Sequence, residues 1–274
     1  MEIIKSTLSV GATKPFTILH ISDIHLAETD PNDSIERQQF AADRKRSFPD
    51  TKHILNFTKE YVKETGYPLF NTGDMLDFIT PENLRITQRF AEETNMIFAT
   101  GNHEYWHCEK NRFSYDDVYE TYAAKNQALA EIQEYFTNDI RFFCQEINGV
   151  NLVCVDNTDY QIEADLFEKL KEVEEQGKPL ILFMHIPLYS KHLGRDQKSS
   201  LNAPPQFFEN CHPVDVFERT PNELTCQICD YIRKSPLIKC VISGHTHRNA
   251  EIIGLDDQDQ IVTGCNTLRE ITIL

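Results

Sequence analysis

The stretch at 96–104, Met-Ile-Phe-Ala-Thr-Gly-Asn-His-Glu, decides the fold predicted for this chain. Its apolar start is typical of a short buried strand, and the Gly-Asn pair that follows predicts a loop where the strand ends. Open α/β sheets place their active sites at the carboxyl ends of such strands. Asn102 offers an amide oxygen that can bind a metal ion, and His103 can donate or accept a proton near neutral pH. We therefore expect functional chemistry in this loop.

Four other predicted strands also end in groups that can bind a metal ion. Taken singly, each group has an ordinary alternative, such as a carboxylate that caps a helix or a histidine on the surface. Because strand ends converge on one edge of a doubly wound sheet, we expect all these loops to lie close together. The strand ends are Asp23-Ile24-His25 after 16–22, Gly73-Asp74 after 67–71, His185 after 180–184, and Gly244-His245-Thr246-His247 after 237–242.

Helical patterns separate the predicted strands. Apolar residues recur at helical spacing over 50–64, 81–93 and 164–176, and a further helix is predicted from a cap at Asn222 to residue 234. The alternation of strand and helix predicts a parallel sheet with crossover helices. Residues 27–47 are polar and charged, which indicates a surface loop with room for a short helix.

The second half of the chain predicts antiparallel pairing as well. Two β-rich runs, 141–146 and 150–155, flank Asn148-Gly149, a pair suited to a type I′ hairpin turn. Further strands are predicted near 249–254, 260–265 and 268–274, and we expect them to be antiparallel and to close a second sheet. Asp156 and Asp159, which follow the hairpin, are assigned to turns.

Two segments interrupt this pattern, so we expect one domain over 1–274 with insertions near 105–137 and 188–221. The first is rich in aromatic residues and helical over 117–136. It is interpreted either as a helix packed on the body or as a lid that borders His103, with His107 only framing the motif. The second contains four prolines and predicts a long surface loop, a kind that is often functional. The aromatic residues are Tyr105, Trp106, Phe113, Tyr115, Tyr119 and Tyr122, and the candidates for substrate contact in the second segment are His192, Arg195 and His212.

Composition narrows the classes of function. With 40% hydrophobic and 10% aromatic residues among 274, the chain can form a large core. A net charge of −16 argues against a general binder of nucleic acid or anionic membranes, which require a basic surface. The sequence shows neither an export signal nor an apolar run of about 20 residues, the length that spans a bilayer, so we expect a cytoplasmic protein.

The eight cysteines fit a reduced protein in which most thiols are buried. Cys226-Gln-Ile-Cys229 is a single CxxC pair. Its spacing fits one face of a helix, and this interpretation is preferred to a redox or zinc site because no second pair accompanies it.

Together the strand ends supply seven nitrogen or oxygen ligands and no thiolate. That number is too large for one tetrahedral ion with an open position. It suits two metal ions that share a bridging carboxylate, about 3.5–4 Å apart, as in sites that hydrolyse phosphoesters. The seven residues are Asp23, His25, Asp74, Asn102, His185, His245 and His247.

The order of these motifs resembles the signature of the calcineurin-like metallophosphoesterases: D-x-H, G-D, G-N-H-[D/E], H and G-H-x-H. The match is complete over 16–250 apart from the two insertions, and Glu104 stands where many members have Asp. The resemblance implies a four-layer α/β/β/α sandwich, in which helices flank two central mixed β-sheets. The motifs are Asp23-Ile24-His25, Gly73-Asp74, Gly101-Asn102-His103-Glu104, His185 and Gly244-His245-Thr246-His247.

The resemblance also implies a role for each residue of the site. His103 would be the catalytic histidine that binds no metal, and Glu104 would orient it. The other seven would hold two divalent ions. The first ion would be held by Asp23, His25 and His247, the second by Asn102, His185 and His245, and Asp74 would bridge the two.

The activity implied is hydrolysis of phosphoester bonds. A hydroxide that bridges the two ions would attack phosphorus in line, and protonated His103 would stabilise the developing charge or protonate the leaving oxygen. Small phosphodiesters, cyclic nucleotides and phosphomonoesters are all open as substrates, and Mn, Fe, Zn, Co and Ni are all open as metals. We expect a small phosphoester partner, no nucleic acid and no membrane, and the sequence leaves the oligomeric state open.

The alternative is a catalytically silent metal-binding scaffold with the same fold. Scaffolds of that kind usually lack ligands or the catalytic histidine. This chain retains both, which favours an enzyme.

Overall fold

In the computed structural model, which describes residues 1–106, 122–208 and 220–274, the strands form two mixed sheets. The strands of the first sheet are β1 (Glu2–Leu8), β2 (Phe16–Ile21), β3 (Leu69–Asn71), β4 (Ile97–Phe98) and β11 (Thr267–Ile273). Those of the second are β5 (Phe142–Ile147), β6 (Val150–Val155), β7 (Leu180–Phe183), β8 (Ile238–Ser243), β9 (Ala250–Ile252) and β10 (Gln260–Val262). Their spatial orders are β1-β11-β2-β3-β4 and β5-β6-β7-β8-β10-β9. Strands β2, β3 and β4 are parallel to one another, as are β6, β7 and β8.

Helices cover the outer face of each sheet. The α-helices of the described residues are α1 (Ile35–Ser47), α2 (Thr51–Thr65), α3 (Pro81–Thr94), α4 (Tyr122–Ile132), α5 (Ala164–Glu174) and α6 (Glu223–Lys234). Apolar residues of α2, α3 and α4 pack on the first sheet, and those of α5 and α6 pack on the second. The layers are therefore α/β/β/α, which confirms the predicted fold class. Among the described residues, no helix is long and apolar enough to cross a membrane.

The predicted helix ends agree with the structure because the sequence encodes them locally. The hydroxyl of Thr80 accepts a hydrogen bond from the backbone N–H of Asn83 at the start of α3. At the start of α6, the side chain of Asn222 accepts a hydrogen bond from the backbone N–H of Thr225. Gly66 ends α2 in the left-handed conformation, with a φ of 68°, which glycine adopts without a steric penalty.

Within the predicted insertions, the structure shows α4 and a 3₁₀ turn at Gln133–Tyr135 in the first, and 3₁₀ segments at Lys191–Ser199 and Pro205–Phe208 in the second. The lid interpretation depends on residues 107–121, and it lies outside the described residues. The same holds for His107, His212 and three of the aromatic residues, Phe113, Tyr115 and Tyr119.

Three elements differ from the sequence-based expectation. Residues 35–47 form a full helix, α1. Only Ala41 of this helix is buried, so its sequence carries no apolar periodicity from which a helix could be predicted. The sequence analysis did not predict β1. Strand β11 was expected in the second sheet, but it lies in the first, between β1 and β2, parallel to β1 and antiparallel to β2. An alternating pattern indicates a strand but not its partners, because the same pattern fits either sheet.

The inner faces of the two sheets share one apolar core. Phe70 of β3 stacks on Phe183 of β7, with ring centroids 4.3 Å apart. Ile18 and Ile271 contribute from the first sheet and Ile242 from the second, and all are fully buried. This contact fixes one sheet against the other, and with it the relative position of their strand ends.

A buried histidine links the sheets beside this core. His20 of β2 is fully buried; its Nδ1 lies 2.7 Å from the hydroxyl of Thr263, and its Nε2 lies 2.9 Å from that of Thr72. Thr263 follows β10 of the second sheet and Thr72 follows β3 of the first. Burial, with a smaller contribution from the charge of Arg269, lowers the pKa of His20 to about 3.

This lowered pKa makes stability depend on pH. The unfolded chain protonates His20 near pH 6.5, whereas the folded chain does so only near pH 3, so stability present above pH 6.5 is lost as the pH falls through this window. We expect wild type to lose about 2 kcal/mol through His20 between pH 7 and pH 5. The variant His20→Gln lacks this contribution. The difference in the free energy of unfolding between wild type and the variant should therefore be about 2 kcal/mol smaller at pH 5 than at pH 7. Urea unfolding at both pH values checks this, and a constant difference between the proteins would contradict it.

Candidate metal centre

The loops that follow β2, β3, β4, β7 and β8 meet at one edge of the sandwich. Each loop carries between one and three of the predicted site residues, and the structure brings all of them together. Three loops come from the first sheet and two from the second, so the site straddles both sheets. Most of the site is deeply buried: His185 is fully buried, and Asp23 and Asp74 are each 1% exposed. The side chain of His247 is 40% exposed and marks the open side of the site.

The first group of possible ligands consists of Asp23, His25, Asp74 and His247. The Nε2 atoms of His25 and His247 lie 3.0 Å apart. The Nε2 of His25 also lies 3.7 Å from an oxygen of Asp74, and that of His247 lies 3.5 Å from an oxygen of Asp23. Two carboxylates and two imidazoles thus point at one small volume.

The second group consists of Asp74, His185 and His245, joined by the amide of Asn102. The Nε2 of His185 lies 3.0 Å from the amide oxygen of Asn102 and 3.3 Å from the carboxylate of Asp74. The Nδ1 of His245 lies 3.1 Å from that same Nε2. Asp74 belongs to both groups, which is the position predicted for a bridging carboxylate.

The hydrogen bonds behind these rings show that the donor set fits a cation. The Nδ1 of His25 lies 2.8 Å from the carboxylate of Asp77, and the Nδ1 of His185 lies 2.7 Å from the backbone oxygen of Thr72. Because both oxygens can only accept, each Nδ1 carries a hydrogen, and each Nε2 is the nitrogen that would offer its lone pair to a cation in the site. These lone pairs converge with carboxylate oxygens, and such an arrangement requires positive charge at its centre.

The pKa shifts reflect the same demand for positive charge. Burial lowers the pKa of His185, but the negative charge of Asp74 outweighs it and raises the pKa to about 9. For His25, too, hydrogen bonding to Asp77 and nearby carboxylates overcome burial, so its pKa is raised. Burial raises the pKa of Asp74, yet the surrounding imidazoles hold it well below its usual range. Protons and metal ions compete for one negative, imidazole-rich site.

Five of the predicted ligands have a left-handed backbone. Their φ values are 56° for Asp23, 53° for His25, 52° for Asp74, 66° for His245 and 58° for His247. This conformation is uncommon for residues other than glycine and costs about 1 kcal/mol or more each. Strain of this kind persists only where surrounding contacts enforce it, and it is concentrated at functional sites.

Glu104 contacts the backbones of two loops of the site. Its buried carboxylate accepts hydrogen bonds from the backbone N–H groups of Gly101, Asp74 and Leu76, at 2.7, 2.9 and 3.0 Å. Burial, and next the charge of Asp74, raises the pKa of Glu104 to about 7. These hydrogen bonds tie the loop after β3 to the loop after β4, and the expected role of Glu104 in orienting His103 stays a prediction.

Sequence reasoning missed the residue that does hold His103. The Nδ1 of His103 lies 2.8 Å from the backbone oxygen of Asp77 and 3.4 Å from its carboxylate. Asp77 also binds His25, and Arg44 of α1 donates to it at 2.7 Å. A second aspartate three positions after Asp74 was an available signal for Asp77. Arg44 gave none, since it lies in a helix without an apolar face.

Two aromatic rings border the histidines. Phe48 stacks on His25, with ring centroids 4.1 Å apart. The ring centroids of Trp106 and His103 are 3.9 Å apart. Of the candidates for substrate contact in the second insertion, His192 lies 3.3 Å from the exposed carboxylate of Asp256, and Arg195 is exposed. Cys226 and Cys229 lie in α6, in agreement with the helical interpretation of that pair.

Buried carboxylates and imidazoles that converge where two sheets meet define a site suited to metal-dependent chemistry. The sequence pattern of the calcineurin-like phosphoesterases matches residues 16–249, and the chain belongs to that family. A comparison with curated proteins found no match.

Two solved structures are similar to this chain, and the first of them shows the same fold. A dimetal phosphatase from Danio rerio is similar with a TM-score of 0.50 and 12% identity, over 91% of this chain and 87% of that one. A phosphopantetheinyl hydrolase from Mycobacterium tuberculosis is similar with a TM-score of 0.47 and 14% identity, over 90% and 89% of the two chains.

The close contact between the loops after β3 and β4 gives a test of the site's construction. A Cβ added at Gly101 would overlap the backbone nitrogen and carboxylate of Asp74, so we expect Gly101→Ala to cost about 1–3 kcal/mol and to weaken metal binding. Urea unfolding and calorimetric Mn²⁺ titration measure both effects. The control is Gly177→Ala, which has open space around it and a φ of 70°. It should lose only about 1 kcal/mol, with metal binding unchanged. Equal metal binding by both variants would contradict the expectation.

Proposed function

We propose that this protein is a hydrolase of small phosphoesters that uses two divalent cations. The observation that carries the proposal is the pair of ligand groups that share Asp74, because an arrangement of two groups around one carboxylate suits two ions in contact with one phosphoryl group. Membership of the calcineurin-like phosphoesterase family supports the same reaction class.

The residues present fit two such ions. One group would use Asp23, His25 and His247 and the other Asn102, His185 and His245, with Asp74 common to both. Ions bound there would polarise the phosphoryl oxygens and make water acidic enough to react as hydroxide near neutral pH. Nitrogen and oxygen ligands of this kind accept Mn, Fe, Co, Ni and Zn, so we propose a transition-metal pair without choosing among them.

His103 is the proposed proton donor. Its Nδ1 donates to the backbone oxygen of Asp77, so Nε2 faces the site, 4.0 Å from the carboxylate of Asp74. Burial lowers the pKa of His103, and the opposing effect of Asp74 does not restore it. An anionic phosphoester beside Nε2 would favour the protonated ring, because opposite charges attract. The ring could then give its proton to the leaving oxygen.

The substrate that we propose is small. The net charge of −16 opposes long polyanions such as nucleic acid, whereas two cations can attract a single phosphoester. Phosphodiester and phosphomonoester substrates are both compatible with the site.

The experiment that tests the proposal is metal content together with hydrolysis after removal of metal and addition of Mn²⁺. The substrates are p-nitrophenyl phosphate and bis-p-nitrophenyl phosphate. We expect two ions per chain and metal-dependent turnover, with the preferred substrate separating a phosphatase from a phosphodiesterase. A protein that binds metal but hydrolyses neither substrate would favour the scaffold alternative, and one that binds no metal would overturn the proposal.

His103→Ala should keep both ions and lower kcat by about 10²–10⁴-fold, because a proton donor is lost while the proposed ligands remain. Steady-state kinetics on metal-replete protein measure this. His192→Ala removes a histidine that lies near Asp256 and serves as the control, with kcat unchanged. Unchanged turnover in His103→Ala would remove this residue from the mechanism.

Asp74→Asn should lose metal and activity together, because it removes the negative charge common to both groups. Metal analysis and hydrolysis rates on one preparation check this. Asp256→Asn, at a carboxylate that is 72% exposed, is the matched control and should retain both ions. A fully metallated and active Asp74→Asn protein would disprove the bridging role.

A further inference from the structure

A loop that carries none of the predicted ligands contacts three of the loops that do. It comprises residues 156–160, Asp-Asn-Thr-Asp-Tyr, directly after β6, and we call it the β6 loop. Sequence reasoning assigned its two aspartates to turns. In the structure, Asp156 does accept hydrogen bonds from the backbone N–H and the hydroxyl of Thr158, at 3.1 and 2.8 Å. The loop also reaches the second ligand group.

Tyr160 contacts a predicted ligand directly. Its hydroxyl lies 2.8 Å from the Nε2 of His245, and its ring lies edge-on to the imidazole. Tyr160 is 7% exposed and has a left-handed backbone, with a φ of 59°. A bulky residue rarely adopts this conformation, so the surrounding loop enforces the direction of the side chain.

The same loop holds the backbone beside a second ligand. The side chain of Asn157 donates to the backbone oxygen of Ile186 at 2.7 Å and accepts from its N–H at 3.1 Å. Ile186 directly follows His185. On the other side, the hydroxyl of Tyr105 donates to the backbone oxygen of Thr158 at 3.3 Å, and Tyr105 directly follows Glu104. The β6 loop thus touches the loops of His185, His245 and Asn102, all in the second group.

A buried ion pair fixes the β6 loop itself. The ammonium group of Lys125, in α4, lies 2.9 Å from a carboxylate oxygen of Asp156 and 2.9 Å from one of Asp159. The side chains of Lys125 and Asp156 are 2% and 1% exposed, so water cannot replace either partner. Because removal of one member would leave a buried charge uncompensated, the loop has little freedom to move.

We propose that Tyr160 is a positioning residue for the second metal ion. With Nδ1 of His245 as the ligand atom, beside Asn102 and His185, Nε2 would carry the hydrogen and the hydroxyl of Tyr160 would accept it, which fixes the direction of the Nδ1 lone pair. A hydrogen bond behind a metal-binding imidazole fixes its tautomer and its orientation, and loss of such a bond typically costs about 10–100-fold in metal affinity. The inference rests on the proposed two-ion site, but it concerns only one of the two ligand groups.

The test is the variant Tyr160→Phe, with Mn²⁺ as the probe and binding as the readout. Calorimetry on metal-stripped protein should show two ions in wild type. In the variant, the affinity for one ion should fall about 10–100-fold while that for the other is unchanged. Electron paramagnetic resonance at two equivalents of Mn²⁺ should change from a spin-coupled pair to the six-line spectrum of an isolated ion. A merely structural role would not produce this selective loss.

The matched control is Tyr61→Phe, which also removes one tyrosine hydroxyl. That hydroxyl lies on the outer side of the first sheet, where it donates a hydrogen bond to the carboxylate of Glu270. It should keep both affinities. Two unchanged affinities in Tyr160→Phe would overturn the inference, as would a wild-type protein that binds a single ion. Hydrolysis is judged separately: if the binding results hold but no phosphoester is cleaved, the proposed function fails while the positioning role stands.

Discussion

The site depends on the direct contact between two loop backbones, those that follow β3 and β4. A Cβ at Gly73 would overlap the backbone of Gly101, and a Cβ at Gly101 would overlap Asp74. Glycine is therefore needed at both positions for steric reasons, apart from its conformational freedom. The contact is closed by hydrogen bonds in both directions. Glu104 accepts from the N–H of Asp74, and Asp74 accepts from the N–H of His103 at 3.0 Å. One pair of carboxylates thus sets the distance between the shared ligand and the catalytic candidate.

The same arrangement has an electrostatic cost. Two buried carboxylates lie side by side, and burial together with Asp74 raises the pKa of Glu104 to about 7, while imidazoles hold that of Asp74 low. Several neighbouring residues have strained backbones as well. A structure retains such features only if other contacts stabilise them, and here the apolar core between the sheets does so. A cation at the site would relieve the charge imbalance, since it would neutralise carboxylates and accept lone pairs together.

The sequence predicts the candidate ligands better than it predicts the residues that hold those ligands in place. Every predicted ligand follows a strand, and a short motif at a strand end can be recognised without knowledge of the fold, so Asp23, His185 and His247 could be singled out as candidates. Asp77 and Tyr160 act through contacts that only tertiary structure creates. Glu104 was recognised, but its hydrogen bonds to two loop backbones were not predicted, because the sequence does not show which groups its carboxylate reaches. Strand β11 was misplaced for a related reason, since pairing partners are a property of the whole sheet.

Neither proposed ion could be held by one sheet alone. The first group takes Asp23 and His25 from the first sheet and His247 from the second, and the other group is divided in the same way. Any sliding of the sheets would separate the ligands, so the contacts between sheets belong to the site's construction. The stack of Phe70 on Phe183 is an apolar contact. It resists separation of the two sheets but tolerates small shifts of one sheet along the other. The hydrogen bonds of His20 to Thr72 and Thr263 are directional, and Thr72 also accepts from His185 through its backbone oxygen. The polar link between the sheets is therefore continuous with a predicted ligand, which explains why a histidine occupies a position that an apolar residue could otherwise fill.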